Sequence, residues 1–190
     1  LLNSVVSIFN AGVAAAAGDY ESIATVTVGS GGSADIEFTS IPSDYAHLQL
    51  RGIFKNTTNS NSFAGMYVRF NGDTASNYSG HYLQGDGSTT YAGGGSNQSG
   101  YLYSYTAQGG SSITSMFSVN VFDILDYKDT NKYKTMRHLG GWDFNGSGVL
   151  TYGSAAWRNT NAITSIKITL DAGNNFGQYT TVALYGIKGA

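Results

Sequence analysis

A chain of 190 residues, 41% of them hydrophobic, is the size of one compact domain with a sizeable core. Only 12% of residues are charged, the net charge is -2 and no Lys/Arg run offers a track for a phosphate backbone, so nucleic acid is not an expected partner. With no cysteine a disulfide scaffold and thiolate chemistry are excluded, and 26 glycines interleaved with 14 Tyr and 9 Phe point to a folded all-β chain with long loops.

The first eighteen residues, Leu1 to Gly18, carry no charge and end in Ala14–Ala17 and Gly18. They resemble the apolar region and small-residue cleavage site of a signal peptide, without the basic segment that such peptides carry. Asn3, Ser4, Ser7, Asn10 and Gly12 interrupt the stretch, which argues against a membrane span. The remaining reading is an extended apolar arm lying on its own sheet, a neighbouring subunit or a scaffold, with Leu1, Leu2, Val5, Val6, Ile8, Phe9 and Val13 as contact residues. Fully extended, such an arm reaches about 60 Å.

From Tyr20 onward short strands follow one another. Ile23–Val28 alternates, Ala34–Phe38 places Ile36 and Phe38 inside, and His47–Phe54 places Leu48, Leu50 and Phe54 on one face. Gly29–Gly32 reads as the hairpin connection between the first two. Met66, Val68 and Phe70 face one way and Tyr67 and Arg69 the other, before Asn71-Gly72-Asp73 supplies a tight reversal. Further strands are predicted at Tyr78–Leu83, Tyr101–Tyr105, Met116–Leu125, Tyr133–Trp142, Val149–Trp157, Ile163–Leu170 and Tyr179–Ile187. Gly85–Gly100 reads as a long polar loop, and Asp126–Asn131 as a charged turn with room for one helical turn. The expected fold is a single antiparallel β-sandwich over residues 19–190, a jelly roll, preceded by the arm.

Little in the sequence suggests catalysis. His47, His81 and His138 sit inside predicted strands, where histidines serve mostly as structural residues, and no HExxH, GxSxG or Walker pattern occurs. Asp143–Gly148 matches the first half of a calcium loop, but Ser154 stands where a bidentate Glu is required. A Gly/Asn/Ser hairpin turn over Asp143–Ser147 is the favoured reading, and no metal or other cofactor is expected. Tyr82, Tyr91, Tyr101, Tyr103 and Tyr105 flank the glycine-rich stretch and suit either a subunit interface or a glycan-binding surface, the interface being favoured.

Six blocks in order, Tyr20–Gly32, Phe38–Gly52, Arg69–Ser79, Leu125–Thr135, Ile163–Leu170 and Phe176–Gly189, resemble a group of tailed-bacteriophage virion structural proteins found in phages of aquatic bacteria, including cyanophages. The resemblance spans Tyr20 to Ala190 and leaves the arm outside. It implies a non-enzymatic virion component, with a major capsid protein or other virion subunits as partners. The leading expectation is a capsid decoration (cement) protein on the exterior of the head, a homo-oligomer with a trimer favoured. The alternative is a tail-fibre module that recognises a host surface glycan.

Overall fold

The computed structural model describes residues 19–57, 64–105 and 115–189, with backbone alone for 102–105. The arm residues Leu1, Leu2, Val5, Val6, Ile8, Phe9 and Val13, and the side chains of Tyr103 and Tyr105, lie outside the described residues. The described strands are β1 (Tyr20–Thr27), β2 (Asp35–Phe38), β3 (His47–Phe54), β4 (Gly65–Phe70), β5 (Tyr78–Gly85), β6 (Thr90–Gln98), β7 (Tyr101–Tyr105), β8 (Ser118–Leu125), β9 (Lys134–Phe144), β10 (Ser147–Trp157), β11 (Ile166–Leu170) and β12 (Thr181–Ile187). Among the described residues no helix is long and apolar enough to cross a membrane.

All pairings are antiparallel and form two sheets, β1-β12-β3-β8-β9-β10-β5-β6 and β2-β11-β4-β7. Stripped of two hairpins, this is a jelly roll: β1-β12-β3-β8 faces β2-β11-β4-β7, and the chain crosses between the sheets as it winds. The hairpin β5–β6 is inserted between β4 and β7, and the hairpin β9–β10 between β8 and β11. Both extend the larger sheet on the side of β8.

Period-2 alternation explains which residues fill the space between the sheets. Leu48, Leu50 and Phe54 of β3, Met66, Val68 and Phe70 of β4, Ile166 and Ile168 of β11, and Val182 and Leu184 of β12 are all buried in one core. Trp157 stacks on Tyr78 with ring centroids 6.3 Å apart and meets Phe70 edge-on at 5.6 Å. These large rings close the core where β5 and β10 pass beneath the smaller sheet.

Two Asn-Gly pairs turn the chain, and both place Asn and Gly at positive φ, the type I′ pattern. Asn145-Gly146 closes the β9–β10 hairpin, with Phe144 opposite Ser147. Asp143 Oδ1 accepts the Asn145 amide at 3.1 Å, so the Asp143–Ser147 stretch is a hairpin turn. Asn71-Gly72 instead carries the chain from β4 in one sheet to β5 in the other. There the Asn71 side chain donates to Ala162 O (2.8 Å) and accepts the Thr164 and Ser165 amides (2.8 and 3.1 Å), pinning the approach to β11. Asp73 accepts Trp157 Nε1–H (2.7 Å), Asn77 Nδ2–H (2.9 Å) and the Ala75 amide (2.8 Å). Burial raises the Asp73 carboxyl, but the hydrogen bonds from Asn77, Trp157 and Ala75 outweigh it and hold the group below its usual value.

Three local expectations fail. Gly29–Gly32 is no hairpin connection, because β1 and β2 lie in different sheets and pair with β12 and β11. Most of Gly85–Gly100 is not a loop: Thr90–Gln98 is strand β6, paired with β5 from Gly85↔Thr90 to Tyr78↔Gln98. Asp126–Asn131 holds no helical turn but a reversal in which the Asp129 amide donates to Asp126 O at 3.0 Å. The described 3-10 turn lies at Asp171–Gly173. The loop at 126–132 is held by Lys134, whose buried Nζ donates to the carbonyls of Asp129 (2.5 Å), Lys132 (2.9 Å) and Thr160 (3.0 Å). A single ammonium thereby satisfies three turn carbonyls.

Candidate interaction face

The larger sheet has one face on the core and one on solvent, and over β8, β9 and β10 the usual polarity of those faces is reversed. In β8, Ser118 and Asn120 point inward and are buried, whereas Val119 points outward and is 55% exposed. In β9, His138 is buried and its neighbour Leu139 is 51% exposed. In β10, Thr151 is buried between Leu150 (63% exposed) and Tyr152 (53%). The register is fixed by Phe122, Ile124 and Met136, which enter the core farther along β8 and β9.

The registers align these outward residues in two adjacent rows. One runs Ile53, Val119, Gly141, Leu150, Gly85 across β3, β8, β9, β10 and β5. The next runs Val121, Leu139, Tyr152, Leu83, Ala92 across β8, β9, β10, β5 and β6. Because Gly141 and Gly85 carry no side chain, the first row sinks in its middle, and a groove of about 820 Å³ opens there between Ile53, Val119, Leu139 and Leu150. A third row is charged and borders the apolar field: Arg137 Nε donates to Asp123 Oδ2 at 2.7 Å, and Gln49 Nε2 donates to Asp123 Oδ1. Arg51, opposite Val121 at the end of the second row, lies over the rings of Tyr20 and Tyr185, 5.4 and 5.6 Å from their centroids.

Beneath the apolar face lies a polar cluster. His138 Nε2 meets Asn120 Oδ1 at 2.8 Å, Asn120 Nδ2 donates to Ser118 Oγ at 3.2 Å, and Ser118 Oγ donates to Phe54 O at 3.3 Å. The His138 ring stacks on Phe122 at 4.8 Å and meets Tyr101 edge-on at 6.1 Å. Burial pushes the imidazole down to about 3, so it is neutral at physiological pH. Gly140 is required here, since a Cβ on it would lie 2.1 Å from Asn120 Oδ1.

The sequence-selected tyrosines separate. Tyr101 does not belong to a surface stripe: it is buried, and its ring fits a slot over Gly80 and Gly153. Tyr82 and Tyr91 lie on the opposite face of the sheet from the apolar field, Tyr82 covering Gly93 and Tyr91 45% exposed near Asp86. His47 accepts the Asp126 amide at 3.0 Å and His81 is exposed on β5, so the three histidines are spread over the sheet. Among the described residues no three His, Asp or Glu side chains gather as a metal-binding group.

No family model, curated protein or solved structure matches this chain. The assignment of a role therefore rests on the geometry of the face. Alternation alone showed that Val119 and Val121 share a side of β8, but not that this side is the outer one. The signal available in the sequence was the polar set Ser118, Asn120, His138 and Thr151 interleaved with valine, leucine and tyrosine.

Proposed function

We propose that this chain is a non-enzymatic virion structural protein of a tailed phage, a capsid decoration (cement) protein that bridges subunits on the exterior of the head. The observation that carries the reading is the reversed sheet: three adjacent strands, β8, β9 and β10, turn valine, leucine and tyrosine outward and keep serine, asparagine, histidine and threonine within. Exposed apolar fields of this kind mark contact surfaces in soluble proteins. Burying the half-exposed Ile53, Leu83, Val119, Leu139, Leu150 and Tyr152 contributes about 1 kcal/mol apiece before association costs are subtracted. The low overall charge, the jelly-roll architecture and the block resemblance to phage virion proteins support the same reading.

Locating the chain in a map of the whole virion tests it. Copies over the head surface, with the β8–β9–β10 face against major capsid protein or a neighbouring copy, are expected. Placement of a few copies at the tail would refute the cement role and favour a fibre module using Tyr82 and Tyr91 toward a glycan.

A further inference from the structure

We propose that the groove between Ile53, Val119, Leu139 and Leu150 receives residues Leu1–Phe9 from the arm of a neighbouring copy of this chain. The inference rests on reading the outer face as a subunit contact, and it names the occupant. The groove is concave and mostly apolar, with Asp86 and Asp143 also in its lining, so a second copy of the same concave face cannot fill it, whereas a narrow segment can. Leu1–Phe9 reads L-L-N-S-V-V-S-I-F, with six apolar residues and no charge, and its chemistry matches the groove wall.

Chain direction points the arm away from its own groove and toward a neighbour. Strand β1 runs from Tyr20, opposite Ile187, toward Thr27, opposite Thr181, and Thr181 pairs with Ile53 at the groove. Asp19 O still accepts the Lys188 amide at 2.9 Å, so the ladder direction holds to the last residue before the arm. The arm therefore leaves the sheet at the end remote from its own groove, about 20 Å away along the strands and about 14 Å across them. To return, the chain would have to reverse at Gly18. A copy placed beyond that end lies straight ahead, within the roughly 60 Å that eighteen residues span. An arm-to-groove contact closes as a reciprocal exchange between two copies or as a ring of copies.

The absence of cysteine makes the test direct. Full-length chains carrying Val5→Cys are mixed with full-length chains carrying Val119→Cys and oxidised, and the products are separated under non-reducing conditions. A covalent two-chain product is expected, in yield well above that from Val5→Cys mixed with Glu37→Cys, which marks the outside of the smaller sheet. Leu150→Asp in the groove partner lowers that yield by at least about tenfold, and so does Gly85→Leu, which fills the groove where a side chain meets open space. A two-chain yield no higher than the Glu37→Cys control overturns the proposal. So does a chain carrying both Val5→Cys and Val119→Cys that closes only on itself. Attachment to heads is scored separately: cross-linking without head attachment would leave this contact standing and remove the cement role.

Discussion

The neutral, buried His138 makes the fold sensitive to acid. Its imidazole is held at about 3 in the folded chain by burial, against an ordinary value near 6.5. A depressed histidine stabilises the fold fully above the unfolded value, and that contribution is lost as pH falls from 6.5 toward 3. Between pH 7.5 and 4.5 the loss is about 2–3 kcal/mol, from roughly 1.4 kcal/mol per pH unit once the unfolded chain binds the extra proton. The carboxyl groups of Asp73, Asp86, Asp123, Asp126 and Asp129 are all lowered, so their contributions begin to fall only near about pH 5 and are lost mainly below this window. His138→Leu removes the titration and the hydrogen bond to Asn120, costing about 1–2 kcal/mol at neutral pH. Urea unfolding at pH 7.5, 6.0 and 4.5 compares the two. The wild type should lose about 2–3 kcal/mol more than the variant over the range. Parallel pH profiles for the two proteins would refute the argument that His138 is buried neutral.

Gly153→Ala places a Cβ 2.2 Å from Tyr101 Oη and should cost about 1–3 kcal/mol in thermal unfolding, whereas Gly85→Ala, with open space around it, should be nearly neutral. Asp73→Ala removes the acceptor for Trp157, Asn77 and Ala75 and should destabilise by about 2–3 kcal/mol, with a change in Trp157 near-UV signal. Lys134→Met leaves three carbonyls without their shared donor; hydrogen exchange should speed up selectively in residues 126–132 and 159–162, at a cost of about 2–3 kcal/mol.

Much of the sandwich was legible because alternation and turn chemistry are local. His47–Phe54 matched β3 end to end, and Asn145-Gly146 announced the β9–β10 hairpin through its demand for positive φ. Strand β6 was not legible, since Tyr91-Ala92-Gly93-Gly94-Gly95 offers no alternation and its place depends on pairing with β5. Period 2 put Tyr101 on a definite side of its strand, yet only the opposing glycines at 80 and 153 decide that this side is the core. The same ambiguity concealed the candidate site. A strand such as Ser118–Leu125 has two faces, and its first half inverts the rule that valine goes in and asparagine goes out. That inversion is visible only once Phe122 and Ile124 fix the register.

The proposed cement role, with the reversed face of the large sheet as the attachment surface, is tested most directly by binding to phage heads that lack this protein. Wild type is compared with the double variant Leu139→Asp/Leu150→Asp, whose substitutions are on the solvent side of β9 and β10. The account predicts an unchanged thermal midpoint for the double variant and loss of head occupancy by a factor of about ten or more. Wild-type occupancy by a folded double variant would contradict it.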